Sequence, residues 1–307
     1  MTQTFQALDE AVVAIAKDIL EEGVIVSPRG SETREILGSR FRLLNPRARK
    51  INLASRKWNF ALAIGELCWH MAGSDDLKFI SYYSKMWNLF SDDGEHIRGS
   101  CYGRKIFSAK PNGLSQWEKL KCQLRRDPSS RRAVLSFLDM DNNPFTEAKD
   151  LACINSIQFV IRDGRLHCIT SMRSNDLIWG LCYDAFMVTM LQERLAWELG
   201  INLGWYEHYS SSMHIYSRHY AMAKQIADER PDISIGMNKM ETVQSIPAFL
   251  DAERSLREGN ASGLEMVKAL PDYWRELASP LVDLYRHKWD SHVESPSQHD
   301  ESLTRSA

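Results

Sequence analysis

The segment 155-NSIQFVIRDGRLHCITSMRS-174 constrains the fold more than any other part of the chain. Two strand-like runs flank Asp163-Gly164, a pair that takes positive φ readily, and this predicts a tight β-hairpin. The next stretch, 171-SMRSNDLIWGLCYDAF-186, starts like a sheet edge and then turns apolar. It predicts a long helix over about 178–199, ended by Gly200. Inside that run Asp184 stands among Leu181, Cys182, Tyr183, Ala185 and Phe186. A lone carboxylate there is costly to bury unless something pairs with it. The sequence therefore asks what Asp184 pairs with.

The rest of the chain mixes strands and helices without a βαβ rhythm, so α+β is the expected class. Residues 5–22 have helical spacing with Gly23 as a C-terminal cap. Val24–Val26 reads as a short strand. 27-SPRGSETRE-35 reads as a turn-rich loop, and ILGSRFRLL after it as a strand pair or one bent strand. Trp58–Met71 reads as a mostly buried helix carrying Glu66 and His70, followed by a second helix over 76–87. Residues 91–105 read as loop, 115–126 as helix, 133–140 as strand and 205–216 as strand. Segments 246–258, 262–269 and 272–288 have helical character. The expected organisation is one catalytic domain over 1–289, with a helical extension at about 240–289 and a polar, disordered tail at 290–307. No internal repeat is visible.

Composition excludes some classes. The 307 residues carry a formal net charge of −2 and are 44% hydrophobic, enough for a sizeable core. That balance is too even to argue for a nucleic-acid partner, and none is expected, although it leaves room for a local basic pocket. No apolar run approaches the roughly 20 residues of a membrane span, and the acidic, amphipathic start does not read as a signal peptide. The six cysteines form no CxxC pair and lack zinc spacing, which suggests reduced thiols, a cytoplasmic protein and no metal.

Several residues could carry chemistry. Cys153 sits just before a strand, where a thiol can point into a cleft; as a nucleophile it needs cations nearby, and Arg29, Arg131, Arg132 and Arg173 are candidates. The alternative is a buried structural cysteine. Arg131-Arg132 is either a solvated edge or an anion clamp, and Arg173-Ser174 pairs a guanidinium fork with a hydroxyl. Arg29 lies in a Gly-containing loop that lacks P-loop order. Glu66 is either a helix acid with a partner or a proton-transfer group with a raised pKa. Tyr102 reads as a loop aromatic. His214 and Tyr216 alternate along a strand and share a face, as a polar pocket wall or as a half-buried sheet face.

The order of these pieces resembles the thymidylate synthase superfamily, which includes the pyrimidine nucleotide hydroxymethylases. The series is R-G-x-x-T at Arg29, the Glu66 helix, Trp87, Y-G at Tyr102, S-R-R before a strand, Cys153 before the next, R-S-x-D at 173–176, G-x-x-x-D at 180–184 and H-I-Y at 214–216. It spans about residues 24–225. The resemblance implies a mixed sheet flanked by helices and a homodimer. It implies that Cys153 attacks C6 of a pyrimidine nucleoside monophosphate, and that C5 then takes the methylene of 5,10-methylenetetrahydrofolate. Arg29, Arg173 and Ser174 would hold the phosphate, joined by Arg131 and Arg132 from the other subunit. Glu66 would organise water and move protons, and Tyr102 would help remove the C5 proton. His214 and Tyr216 would hold the sugar hydroxyl. Trp87, Asp176 and Gly180 would lie against the folate.

The resemblance also suggests an answer for Asp184. Synthases place asparagine at this position, and an amide matches the uracil edge. The family's cytidylate hydroxymethylases carry aspartate, which can accept from cytosine N4–H and share a proton with N3. The chain departs from the synthases in other ways: Ile154 stands where they have histidine, S-S-S-M precedes His214 instead of G-D-A, and no apolar closing tail is recognisable. The expectation is a folate-dependent cytidylate 5-hydroxymethylase acting on dCMP or CMP. The alternatives are a dUMP methyltransferase or hydroxymethylase, and a catalytically silent nucleotide-binding protein.

Overall fold

The structure, a computed structural model, describes residues 2–109, 113–138, 147–231 and 236–289. The strands are β1 (Gln3–Phe5), β2 (Val24–Val26), β3 (Thr33–Leu43), β4 (Val134–Ser136), β5 (Ile154–Arg162), β6 (Arg165–Met172), β7 (Asn175–Asp176) and β8 (Asn202–Tyr216). The helices are α1 (Leu8–Glu22), α2 (Phe60–Met71), α3 (Leu77–Tyr83), α4 (Tyr102–Phe107), α5 (Gln116–Arg126), α6 (Cys182–Leu199), α7 (Tyr220–Asp228), α8 (Ile246–Arg257), α9 (Ser262–Lys268) and α10 (Asp272–Trp289).

The strands make one mixed sheet in the order β1-β3-β8-β6-β5-β4, with β2 added to β3 and β7 to β8. The β5–β6 hairpin pairs Arg162 with Arg165 around Asp163 and Gly164, which take φ of 50° and 68°. That is the left-handed pair a tight hairpin turn requires. β3 is one long strand interrupted at Gly38, φ 71°, rather than two. β6 and β8 are parallel, so the chain must cross over between them, and α6 is that crossover.

α6 is buried on nearly all sides, so an acid on it is costly without a partner. Its Ala185, Val188 and Leu191 join the sheet core with α1, α5 and α7. Phe186 and Met190 face a second cluster built by α2, α3 and the C-terminal helices, with Leu67, Trp69, Phe249, Trp274 and Leu277. The helical region beyond residue 240 is therefore packed against α2, the helix that carries Glu66.

Some expectations need correction. The first helix starts at Leu8, because Gln3–Phe5 pairs in parallel with β3. The segment 91–105, expected to be loop throughout, ends in α4 from Tyr102. The second helix stops at Tyr83, and Lys85–Phe90 is a 3-10 turn. A π-type turn over Leu177–Leu181 precedes α6. The strand expected over 133–140 covers Val134–Ser136, and its residues 139 and 140, like the tail at 290–307, lie outside the described residues.

Candidate active site

Cys153 stands at the entry to β5, half-buried. Arg173, at the exit of β6, wraps around it. The Arg173 backbone N–H donates to Cys153 O at 2.9 Å. Its guanidinium donates to Ala152 O and Leu151 O at 3.0 Å each and approaches Cys153 Sγ at 3.5 Å. Burial pushes the thiol up to about 11; Arg173 and Arg29 pull it back, while Asp184 and Asp150 push it further. The sulfur is thus a thiol at rest with two arginines placed to favour its thiolate.

Tyr102 fixes the same backbone from the other side. Its hydroxyl accepts from the N–H of Cys153 at 3.1 Å and of Ile154 at 3.3 Å. Burial, then the nearby Cys153 and Asp184, raises its pKa well above the phenol range, so it remains protonated and can donate onward. Tyr102 is held there because Gly103 presses on α2: a Cβ at Gly103 would lie 1.9 Å from His70 O. The Gly103 N–H donates to His70 Nδ1 at 3.2 Å, and burial lowers His70 to about 3, which keeps that nitrogen an acceptor. Asp150 secures the approach to α4 by accepting from the N–H groups of Gly99 and Ser100 and from the Ser100 hydroxyl.

The acids form the opposite wall. Glu66 Oε1 accepts from Trp87 Nε1 at 3.2 Å. Burial pushes Glu66 up to about 8, with the Asp184 charge adding and the Trp87 bond opposing. Asp184 is pushed by burial to about 7 and restrained by Asn175, whose Nδ2 donates to Oδ2 at 2.9 Å. Among the described residues, neither acid has a hydrogen bond or ion pair to an arginine or lysine. Gly180, on the π-type turn, leaves room for this pair, since a Cβ there would come within 3.3 Å of Asp184 Oδ2.

A third group lies where β7 meets β8. Asp176 caps the π-type turn by accepting from Ile178 N–H at 2.8 Å, and its Oδ2 is buried without a donor. It is paired in register with His214, whose ring packs edge-on against Tyr216 at 5.3 Å. Burial raises the Asp176 pKa, and His214 beside it opposes that shift. Arg29 takes left-handed φ of 51° next to Gly30 and lines an opening of about 270 Å³ with Pro28, Ser31, Leu89, Phe90, Lys149 and Tyr216.

The structure thus links Cys153, Tyr102, Glu66, Trp87, Asp184, Gly180 and Arg173 in one neighbourhood, with Asp176, His214 and Tyr216 on the adjoining strands. Ser174 follows Arg173 into β7. Arg131 and Arg132 stand apart, exposed beside β4, and line a separate recess of about 600 Å³ with Gln123, Arg126, Asp127, Ser129 and Ser130. Asn175 escaped the sequence reading, although its place within R-S-N-D was visible. No cluster of three or more His, Cys, Asp or Glu that could hold a metal occurs among the described residues. Nor is any helix among them long and apolar enough to cross a membrane.

The family model for thymidylate synthase matches residues 11–253. The chain belongs to the thymidylate synthase family. A deoxyuridylate hydroxymethyltransferase of Bacillus phage SP01 is 30% identical over 219 residues, covering 67% of this chain and 56% of that protein. A deoxyuridylate hydroxymethyltransferase of Pseudomonas phage M6 is 31% identical over 191 residues, covering 60% of this chain and 52% of the relative. The chain spans about half the length of these curated relatives. The thymidylate synthase match runs from within α1 through most of α8 and leaves α9 and α10 outside it.

Proposed function

We propose that the protein is a folate-dependent pyrimidine nucleotide 5-hydroxymethyltransferase whose substrate base is cytosine, as dCMP or CMP. The observation that carries the choice of base is Asp184, a carboxyl whose pKa is pushed to about 7 and which no arginine neutralises. Near neutral pH it can hold a proton to share with cytosine N3 while accepting from N4–H.

The chain's own groups support each step. Arg29 and Arg173, with Ser174, hold the phosphate, and they lower the cost of a thiolate at Cys153. The thiolate adds to C6, and Asp184 supplies a proton as electron density moves onto the ring nitrogen. The co-substrate, methylenetetrahydrofolate, supplies the one-carbon unit that C5 attacks. Asp176 Oδ2, enclosed without a donor, fits an N–H of its pterin, and the half-buried indole of Trp87 and the exposed indole of Trp179 offer flat apolar surface to the folate. Tyr102, protonated, relays the C5 proton through its hydroxyl rather than acting as a phenolate base. After the folate leaves, water adds to the exocyclic methylene. Glu66, with its pKa near 8, positions that water and exchanges its proton. Cys153 then leaves C6. Arg131 and Arg132 complete the phosphate site from the second subunit of a homodimer.

The names of the two phage relatives favour a second reading, hydroxymethylation of dUMP. A protonated carboxyl can also meet uracil, by accepting from N3–H and donating to O4. Turnover in ¹⁸O-labelled water tests what the two readings share. Hydroxymethylation places ¹⁸O on the new carbon, with tetrahydrofolate as co-product. An unlabelled methyl product with dihydrofolate would instead mean a methyl-transferring synthase.

A further inference from the structure

Asn175 is 3% exposed and lies on β7 between the phosphate-binding Arg173-Ser174 pair and Asp176. Its Nδ2 donates to Asp184 Oδ2 at 2.9 Å and also faces the Met172 sulfur. Its Oδ1 is enclosed and has no donor. Gly180 packs against the amide, and a Cβ there would lie 2.9 Å from Oδ1. A flipped amide would turn its donors away from both the Met172 sulfur and Asp184 Oδ2, so the nitrogen stays towards Asp184.

A carboxyl group has two equivalent oxygens until a neighbour distinguishes them. The N–H of Asn175 makes Oδ2 an acceptor and leaves Oδ1 to carry the proton. Cytosine presents an acceptor at N3 and a donor at N4, whereas uracil presents the reverse. An acid whose proton moves freely between its oxygens satisfies either base; one with its proton fixed on a single oxygen satisfies one base at a given placement. We infer that Asn175 is a specificity-determining positioning residue, which fixes the donor–acceptor order of Asp184 and so the discrimination between cytosine and uracil nucleotides. This rests on the proposed pyrimidine nucleotide chemistry.

The test compares the wild type with Asn175→Leu, which keeps the size of the side chain and removes its polar atoms. Asn175→Ala replaces it if the leucine variant does not fold. The first readout is the titration of Asp184 by carboxyl ¹³C NMR without ligand, assigned with Asp184→Asn. Glu66 on α2, Cys153 and Tyr102 titrate or carry charge around the same carboxyl, so both proteins are followed over one pH range. Loss of the donor should raise the Asp184 pKa. The second readout is the ratio of kcat/KM for dCMP and dUMP, which should fall by at least about tenfold, the equivalent of one good hydrogen bond. An unchanged titration or an unchanged ratio overturns the inference. If the wild type turns over neither nucleotide, the functional reading fails separately. The ratio is then taken from the dissociation constants of dCMP and dUMP, and an unchanged ratio there overturns the role of Asn175.

Discussion

Two buried acidic regions of this protein have opposite surroundings. On the outer side of α6, Glu193 is held by Arg49 through a buried ion pair, by Arg47 at 2.6 Å and by the Met240 N–H at 3.0 Å. Burial alone would raise its pKa, yet the two arginines bring it below the ordinary value. About two and a half turns towards the amino end of α6, Asp184 receives only an amide, and Glu66 on α2 receives only an indole; both are pushed upward. Burial is similar in kind; the partner decides the sign. The paired acid Glu193 ties α6 to the Arg47–Arg49 segment and to the Met240 backbone ahead of α8. The unpaired ones keep a proton available near neutral pH, at a cost in stability.

The comparison breaks most visibly at Glu193. Replacing Arg49 with alanine should destabilise the fold by about 3–5 kcal/mol, because it leaves a buried carboxylate without its main cation. Chemical denaturation would show it. A loss below 1 kcal/mol would mean that water reaches the pair. The same substitution should leave kcat of the remaining folded protein within a small factor.

Glu66→Gln should do the reverse. Product formation should fall about 10²-fold or more, as for loss of a positioned proton-transfer group. Steady-state kinetics and thermal unfolding together decide, and an unimpaired kcat would remove Glu66 from the water step. Asp184→Asn should shift the ratio of kcat/KM between dCMP and dUMP towards uracil by about 10²-fold, near 2.7 kcal/mol. An unmoved ratio would show that Asp184 does not read the base.

The pH dependence of stability should differ in sign between the two regions. Asp184 and Glu66 have raised pKa values when folded. Their contribution is fully present below the ordinary values of 3.8 and 4.5 and is lost as pH rises through about 7 and about 8. Asp184→Asn should therefore raise Tm relative to wild type more at pH 8.5 than at pH 5. Glu193 has a lowered pKa, so its contribution is present above the ordinary value of 4.5 and lost as pH falls through its folded pKa. The smallest expected effect is that of Trp87→Phe. It removes one hydrogen bond to Glu66, raises that pKa further and changes the alkaline limb of the rate profile with less than about a tenfold loss in kcat.

The strongest local patterns of the fold were legible. The Asp163-Gly164 hairpin, the helix ending at Gly200 and the apolar helix around Glu66 announce themselves by turn chemistry and periodicity. Shorter elements were not. Tyr102–Phe107 spans six residues and contains Gly103, which reads as a loop residue but is there because His70 O allows no Cβ. Gln3–Phe5 is three residues long and mostly polar, and only its pairing with β3 makes it a strand. α7 was missed although Ala223, Ile226 and Ala227 carry its buried stripe. In the site, single residues and their order suggested Cys153, Glu66 and Asp184. Arg173 was among the cations expected beside Cys153, whereas the partner of Asp184 was hidden, because the Asn175 contact comes from the folding of β7 against α6. Nothing in the letters says that Trp87 reaches Glu66 across 21 positions.

The most direct test of the central claim is a competition. The protein is mixed with dCMP, CMP, dUMP and methylenetetrahydrofolate, and the nucleotide products are read by mass spectrometry. A 5-hydroxymethyl product on a cytosine nucleotide, with dUMP largely unchanged, is the predicted result, and it identifies the sugar as well. Preferential conversion of dUMP, to either a methyl or a hydroxymethyl product, would contradict the assignment of Asp184 to cytosine.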